Sequence, residues 1–452
     1  MIPSSPLVAV IGAGISGLAC AYHLDRAGWR VLLLEKGPRL GGHTRTVSIA
    51  DPTSGQPLPI DTGFMVFNHR TYPNLCRFFA DLDVPETPTD MSFSVQHLPD
   101  GLEWNGAGLP QLFAQRRNLA RPRYWRFLQQ LNRFNQDARA FIQQPSFLSE
   151  TQTLGHYIDA RGYGEDFMRW YLLPMTSAVW STEPEQMRQF PARTLLRFFD
   201  NHGFLGLDTH FQWYTVPGGA VTYIQRLQAR WGVTVRCNAE VEVVMPLPPE
   251  AGGGVRLGLS SGEGLEVDLA VLACHADEAL AMLVDPSDFT CHTLGAFGYQ
   301  QNHGQLHTDA RVMPRRRRAW ASWNYRWQAG PVADAGRAST HYWMNHLQPL
   351  PTQQPYWVSI NGQHNVAPHT VLDQWDTGHP VFTPEAIVAQ GQLGRLNRET
   401  AQQLVFFCGA YFKYGFHEDG YTAGMQLAQQ LVATPPRSIP AQKYALGGFR
   451  DR

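Results

Sequence analysis

Leu7-Val8-Ala9-Val10-Ile11-Gly12-Ala13-Gly14-Ile15-Ser16-Gly17 decides the fold of this chain. The first five residues form a β-branched, apolar run of strand type. Gly12, Gly14 and Gly17 follow in G-x-G-x-x-G spacing, and Leu18, Ala21, Tyr22 and Leu24 then recur at helical spacing. Gly28 ends the helix, Val31-Leu32-Leu33-Leu34 reads as a second buried strand, and Glu35 stands at its carboxyl end. The first glycine permits a tight turn, the second lets backbone approach a pyrophosphate, and the third allows close helix-strand packing. The helix amino terminus faces the phosphate charge, and Glu35 is spaced to accept hydrogen bonds from ribose hydroxyls.

The chain has 452 residues, 43% of them hydrophobic and 17% charged, enough for two or three domains with real cores. Its net charge of -1 gives no general reason to expect nucleic acid. Among 37 basic residues the only lysines are Lys36, Lys413 and Lys443. Six cysteines lie scattered without a CxxC, which signals neither a disulfide framework nor a thiolate metal site and fits a reducing cytoplasm. Leu7 to Tyr22 lacks the basic flank of a secretory leader, and no run reaches the ~20 apolar residues of a membrane span.

Arg39-Leu40-Gly41-Gly42-His43-Thr44-Arg45 follows Glu35, and with it the chain resembles the flavin-containing amine oxidase and phytoene desaturase superfamily. The resemblance implies FAD, with the Gly41-Gly42 backbone on its phosphates; the usual arginine after that doublet is His43 here, which leaves Arg45 to take over the contact. It extends to Asp61-Thr62-Gly63-Phe64 near the flavin ring, to Val216-Pro217-Gly218-Gly219-Ala220, and to Val241, whose backbone would meet adenine. It ends on Leu404 to Ala410, Tyr411 to Gly420, and Ala423-Gly424 with the helical pattern Met425 to Leu431, read as a buried strand, a glycine-rich turn and a helix start over the flavin. The implied cofactor contacts are Gly12, Gly14, Ser16, Gly17, Glu35, Lys36, Gly41, Gly42, His43, Thr44, Arg45, Gly63, Phe64, Val241, Gly409, Glu418 and Gly420. Tyr414, Phe416 and His417 are the candidate catalytic neighbours of the ring.

The expected fold class is α/β: a Rossmann-like FAD-binding domain of glutathione-reductase-like, amine oxidase type, with a discontinuous α+β substrate domain. Motifs at both ends and in the middle assign 1–70, 205–290 and 385–435 to the FAD domain, 71–204 and 291–384 to the substrate domain, and 436–452 to a carboxyl-terminal extension. Within the first insertion, Leu109 to Gln143 carries helical spacing; in the second, Ala319 to Tyr325, Thr340 to Asn345 and Tyr356 to Ile360 carry strand signals. Arg315-Arg316-Arg317-Arg318, beside Trp320, Trp323 and Trp327, reads as a solvated turn, with a basic, aromatic membrane-interface patch as the alternative.

No second G-x-G-x-x-G occurs in a strand-turn-helix setting, so no nicotinamide domain is expected and electrons come from the substrate. The scattered histidines lack metal-ligand spacing, and no metal is expected. Amine oxidases of the superfamily commonly carry a lysine near the flavin N5, yet no lysine lies between Lys36 and Lys413. Asp61 to Asn68 with Thr71 to Leu75, Trp320 to Asn324, and Tyr414 to Gly420 resemble a bacterial group of amine-oxidase-like flavoproteins. That group often accompanies enzymes modifying fatty acids, which implies an unsaturated or branched acyl substrate. Desaturation or oxidation of a lipid acyl chain is therefore the leading reading, amine oxidation the first alternative, and a non-catalytic flavin-binding protein the second.

Overall fold

The computed structural model describes residues 6–143, 152–206, 211–329 and 337–436; the expected extension lies outside them from residue 437 on. The chain divides into two compact units, one formed by Met1–His43, Ile224–Phe297 and Ala389–Arg452, the other by Thr44–Tyr223 and Gly298–Val388. Residues 44–70 and 205–223, assigned from sequence to the nucleotide domain, thus cluster with the second unit. Here the hairpin of Thr46–Ala50 with Pro57–Asp61 pairs within itself and with the 216–221 turn.

In the first unit, β1 (Leu7–Ile11) is buried at every position, as its apolar run requires. Its neighbours are β2 (Arg30–Leu34) and β13 (Leu269–Leu272), with β9 (Thr234–Arg236) and β19 (Val405–Phe407) outermost, in a five-stranded sheet of order β19-β13-β1-β2-β9. Every pairing is parallel, the arrangement that calls for strands apolar on both faces. An antiparallel sheet of β10 (Val241–Pro246), β11 (Val255–Leu259) and β12 (Gly264–Val267) accompanies it. The first helix, Ile15–Arg26, packs on the last, His417–Ala433, through Gly420 and Gly424. That last helix begins at His417, so Glu418 and Gly420 are its first-turn residues rather than part of the expected turn.

The second unit is built on a seven-stranded sheet of order β18-β14-β17-β16-β15-β6-β7. Its strands are β6 (Phe93–His97), β7 (Leu102–Asn105), β14 (Gly298–His307), β15 (Trp323–Gln328), β16 (Arg337–Trp343), β17 (Trp357–Ile360) and β18 (Val371–Val381). Both insertions contribute, joined where β15 runs parallel to β6. Two short pairs, β3 (Thr46–Ala50) with β4 (Pro57–Asp61) and β5 (Thr87–Thr89) with β8 (Trp213–Thr215), complete the strands.

One face of the large sheet carries Leu306, Val358 and Tyr342, each opposite the next, and, one step of two residues along β15 from the Tyr342 partner Trp323, Tyr325, Val95 and Trp104, again each opposite the next. Trp104 packs on Phe127 of the Pro122–Gln143 helix and on Tyr171, at ring distances of 5.8 and 6.3 Å. Its Nε1 donates to the Trp170 carbonyl at 3.0 Å. That carbonyl lies in a π-helical turn over Met168–Leu172, where a widened helix frees carbonyls for outside donors. The expected 109–143 helix is interrupted: Leu109–Leu112 and a 3₁₀ turn, Arg116–Ala120, precede the long helix, which Pro122 starts because it needs no N–H there.

Candidate active site

In the first unit the glycines form a cradle of bare backbone. Gly12 has φ of +97°, and a Cβ on it would lie 3.0 Å from the Ala273 carbonyl oxygen. A Cβ on Gly17 would lie 1.9 Å from the Gly12 oxygen, while one on Gly42, at φ of +54°, would lie 3.0 Å from the Gly14 Cα. The Gly41 N–H donates to the Ala13 carbonyl at 2.8 Å, which ties the Gly41-Gly42 doublet to the first turn. Gly14 itself faces open space, with nothing within 4 Å of a Cβ there. It is the N-cap of the Ile15–Arg26 helix, supplies no capping side chain, and is followed by no acid in the first turn. The helix dipole and first-turn N–H groups there suit an anion. This glycine cradle fits the pyrophosphate of FAD.

Glu35 fits the neighbouring ribose. Its carboxylate accepts from the Ala13 N–H through Oε2 and the Gly37 N–H through Oε1, each at 2.8 Å, which fixes its orientation at the strand end. The Ala239 N–H donates to the Glu35 carbonyl at 2.9 Å, so the stretch leading to buried Val241 runs beside it. Lys36 instead turns away to an exposed ion pair with Glu278 at 2.5 Å, where it fastens the 276–282 helix.

Around the last helix, Gly420 and Gly424 allow contact with Ser16. Cβ atoms there would lie 2.8 Å from the Ser16 Oγ and 2.1 Å from its carbonyl oxygen. Tyr421 OH meets His23 Nε2 at 2.9 Å across the same helix pair. At the helix start, buried Asp419 accepts from the N–H groups of Tyr414 and Phe416 at 3.2 and 3.0 Å. Burial pushes its carboxyl up to about 6. Glu418 is buried one residue before it, so this helix start already carries two acids facing its dipole. Burial, with His43 adding to it, pushes buried His417 down to about 3, which keeps the imidazole neutral. The His43 ring lies 6.0 Å from that of His275. Gly409 precedes the Ala410–Phe412 turn, its Cα covered by the Tyr411 ring, which a Cβ would meet at 2.3 Å.

In the second unit, Asp61 is a buried carboxylate that sequence reading placed only as a motif member. It accepts from Thr46 Oγ1 at 2.6 Å and from the Ala220 N–H at 2.9 Å, and burial pushes it up to about 7. Gly219 must be glycine beside it: φ is +86° and a Cβ would lie 2.5 Å from Thr46 Cγ2. Gly63 and Phe64 follow directly in the loop after β4, Gly63 exposed and Phe64 half-buried. Thr44 is buried against the Tyr223 hydroxyl at 2.6 Å. Arg45 pairs with Asp373 at 2.6 Å, donates to Thr62 Oγ1 at 3.0 Å and stacks on Trp375. A carboxylate within reach on β18 took the guanidinium, a partner no local motif reveals.

The other face of the large sheet holds a buried polar row, Gln305, Ser359, His341, Asn324, Ser94 and Asn105, each opposite the next across adjacent strands. The Asp309 N–H donates to His307 Nδ1 at 3.1 Å, so Nε2 carries the proton and donates to Ser359 Oγ at 2.6 Å. Ser359 then donates to His341 Nδ1 at 2.6 Å, and His341 Nε2 donates to Ser339. Burial pushes His307 down to about 4 and His341 well below its usual value. Spacing alone could not reveal this chain, because its members come from β14, β16 and β17. A half-open groove of about 600 Å³ lies at the other end of β14 and β18, lined by Met187, Phe190, Tyr299, Val381 and Phe382 with several glutamines. Among the described residues no group of histidine, cysteine and acidic side chains is arranged to hold a metal ion, and no helix is long and apolar enough to cross a membrane.

Residues 15–312 match the family model described as flavin containing amine oxidoreductase. The protein named flavin-containing monoamine oxidase AofH in Mycobacterium tuberculosis is 26% identical over 293 residues, 62% of this chain and 59% of its own length. The carotenoid phi-ring synthase of Streptomyces griseus is 37% identical over 111 residues, 25% of this chain and 20% of its own. The chain thus spans between about a fifth and three-fifths of these relatives. The crystal structure of a CLA-producing fatty acid isomerase from P. acnes superposes with a TM-score of 0.66 at 13% identity, covering 95% of this chain and 99% of that one, a likeness of fold. A family match across about two thirds of the chain, on a fold whose glycine cradle and Glu35 fit an adenine dinucleotide, places it: the chain belongs to the flavin-containing amine oxidoreductase family, whose usual cofactor is FAD.

Proposed function

We propose that this enzyme removes a hydride from an apolar acyl chain and so desaturates or oxidises it. One observation carries the choice over an amine: the sequence has no lysine between Lys36 and Lys413, so the second unit lacks the ammonium group that amine oxidases of the superfamily commonly set near N5. The groove lined by Met187, Phe190, Tyr299, Val381 and Phe382 offers apolar contact of the kind an acyl chain needs. The fold of a fatty acid isomerase, close to this one, is an instance of the scaffold serving an acyl substrate.

FAD supplies the hydride acceptor when bound. In this reading Gly12, Gly14, Ser16, Gly17, Gly41 and Gly42 hold its pyrophosphate and Glu35 its ribose, with Val241 at the adenine. Gly409 and Gly420 contribute backbone contact nearer the flavin. Tyr414, Phe416 and His417 stand beside the reacting end; His417, held neutral, can donate an N–H hydrogen bond there but cannot serve as an imidazolium acid near pH 7.

Anaerobic mixing of the FAD-loaded enzyme with unsaturated and branched fatty acids or their phospholipids, and separately with primary amines, tests the proposal. Bleaching of the oxidised flavin band by the lipids alone is the expected result. Bleaching by amines alone would overturn it in favour of amine oxidation, and no bleaching by either would leave a flavin-binding role without turnover.

A further inference from the structure

The chain is nearly neutral overall, yet residues 104–136 and 310–329 contain twelve arginines and no aspartate or glutamate. The fold brings these stretches together within the second unit. The Leu109–Leu112 helix and β7 pack beside the Arg317–Ala319 turn, the Arg315 and Arg316 N–H groups donate to Glu103 at 2.8 and 2.9 Å, and Asn105 donates to the Trp320 carbonyl. Nearby acids are already engaged: Asp309 by Arg311, Asp166 and Asp100 by Arg123, and Glu103, buried, by backbone. Arg116, Arg117, Arg121, Arg126 and Arg315–Arg318 are exposed, and among the described residues none of them has a carboxylate partner.

The same surface carries large apolar side chains. Leu109 is 72% exposed, Leu119 53% and Trp125 45%, and these interleave with the arginines. Trp125 Nε1 donates to the Leu119 carbonyl at 2.9 Å and its ring lies 5.5 Å from Phe113, so the apolar group is one contiguous feature. The tryptophans that sequence grouped with Arg315–Arg318 do not supply it. Trp320 is turned inward, its Nε1 bonded to the Pro314 carbonyl, its ring against Trp343 and covered by Arg317.

We infer that this face docks on an anionic lipid bilayer, with Leu109, Leu119 and Trp125 entering the interfacial layer and the surrounding arginines on phosphate headgroups. A polyanion without a hydrocarbon layer would account for the arginines but not for the exposed leucines and tryptophan among them. Leucine and tryptophan gain by insertion at the headgroup boundary, while arginine stems lie along apolar surface with the charge outward. Each arginine near an anionic surface strengthens binding roughly fivefold at low salt, and the attraction fades within a Debye length. The contact requires no membrane-crossing segment, and it holds whichever substrate the enzyme oxidises.

Sedimentation of the FAD-loaded full chain with vesicles of phosphatidylcholine alone, or with 30% phosphatidylglycerol, tests this. The expected result is binding to the anionic vesicles at low salt, at least tenfold weaker on neutral ones and largely lost at ~0.5 M salt. Two variants, Leu109→Ser with Leu119→Ser and Trp125→Ser, and separately Arg116→Ser with Arg117→Ser and Arg121→Ser, each reduce it at least tenfold while flavin content and melting temperature stay unchanged. Arg121→Glu on its own, a single exposed change, weakens binding in the same direction should either triple variant misfold. Absence of binding to anionic vesicles at low salt overturns the inference. So does binding that none of these variants weakens, or duplex DNA binding as tightly as the vesicles with the apolar variant changing neither.

Discussion

Gly424 sits so close to Ser16 that a Cβ placed on it would lie 2.1 Å from the Ser16 carbonyl oxygen and 3.0 Å from the Cys20 amide nitrogen. The first and last helices of the nucleotide-binding unit therefore meet backbone to backbone, although about 400 residues of chain separate them. Neither contacting atom is the end of a flexible side chain, so the helices must separate to admit even a methyl group. Gly424→Ala is expected to cost about 1–3 kcal/mol through overpacking, despite alanine's better helix propensity. Thermal unfolding should show a melting temperature lower by several degrees, with FAD released more readily on desalting.

Glu35→Ala removes the acceptor for the Ala13 and Gly37 N–H groups and the carboxylate at the ribose position. Hydrogen bonds to a charged group are each worth about 1.5–3 kcal/mol, so FAD affinity should fall roughly 10- to 100-fold. Titration of apoprotein with FAD, read by flavin fluorescence, checks this; an unchanged affinity would remove Glu35 from the site.

Asp61 gives a pH dependence with a definite sign. Its carboxyl keeps a proton up to about pH 7 when folded, whereas in the unfolded chain it loses it near 3.8. Between those values the folded state binds more protons. The stability contributed by this group is complete below the unfolded value and is lost as pH rises through about 7, on the order of 4 kcal/mol in all. Asp61→Asn keeps an Oδ1 acceptor for Thr46 and Ala220 and cannot titrate. Relative to the parent it should gain stability steadily from pH 4 to 7, as measured by denaturant midpoints at fixed salt.

Ser359→Ala breaks the buried relay at its centre, leaving the His307 Nε2 proton and the His341 Nδ1 lone pair without their partner. Unsatisfied buried polar groups cost about 1–3 kcal/mol, and destabilisation of that size is expected without loss of bound FAD. Denaturant unfolding paired with flavin absorbance distinguishes this from damage to the cofactor site.

His417→Gln tests the neutral imidazole. Because burial holds His417 near 3, it does not titrate between pH 5 and 8. The variant should change the flavin absorption spectrum or turnover rate while leaving the inflections of the pH-rate profile in place over that range. Disappearance of an inflection near 6 would show that His417 titrates during turnover.

The glycine-backbone geometry proposed to hold the cofactor was legible in the sequence because it is local. Gly12, Gly14, Gly17 and Glu35 sit within one strand-turn-helix-strand unit, where spacing sets which backbone groups converge. Tertiary context decided the rest. Arg45, free to meet a phosphate in the sequence reading, found Asp373 on β18, and Lys36 found Glu278. The last helix started earlier than its apolar periodicity suggested, because Asp419 caps it through the N–H groups of Tyr414 and Phe416.

The order of residues by itself determined the nucleotide-binding class, its parallel core strands and the absence of lysine from the second unit, since each depends on composition or on neighbours a few positions apart. Only the tertiary structure decided that β6 joins β15 across some 230 residues, that Asp61 and His417 lose their contact with water, and that Leu109, Leu119 and Trp125 stay outside among arginines. Desolvation and long-range pairing depend on which distant segments arrive at the same place, and no local pattern encodes that arrival.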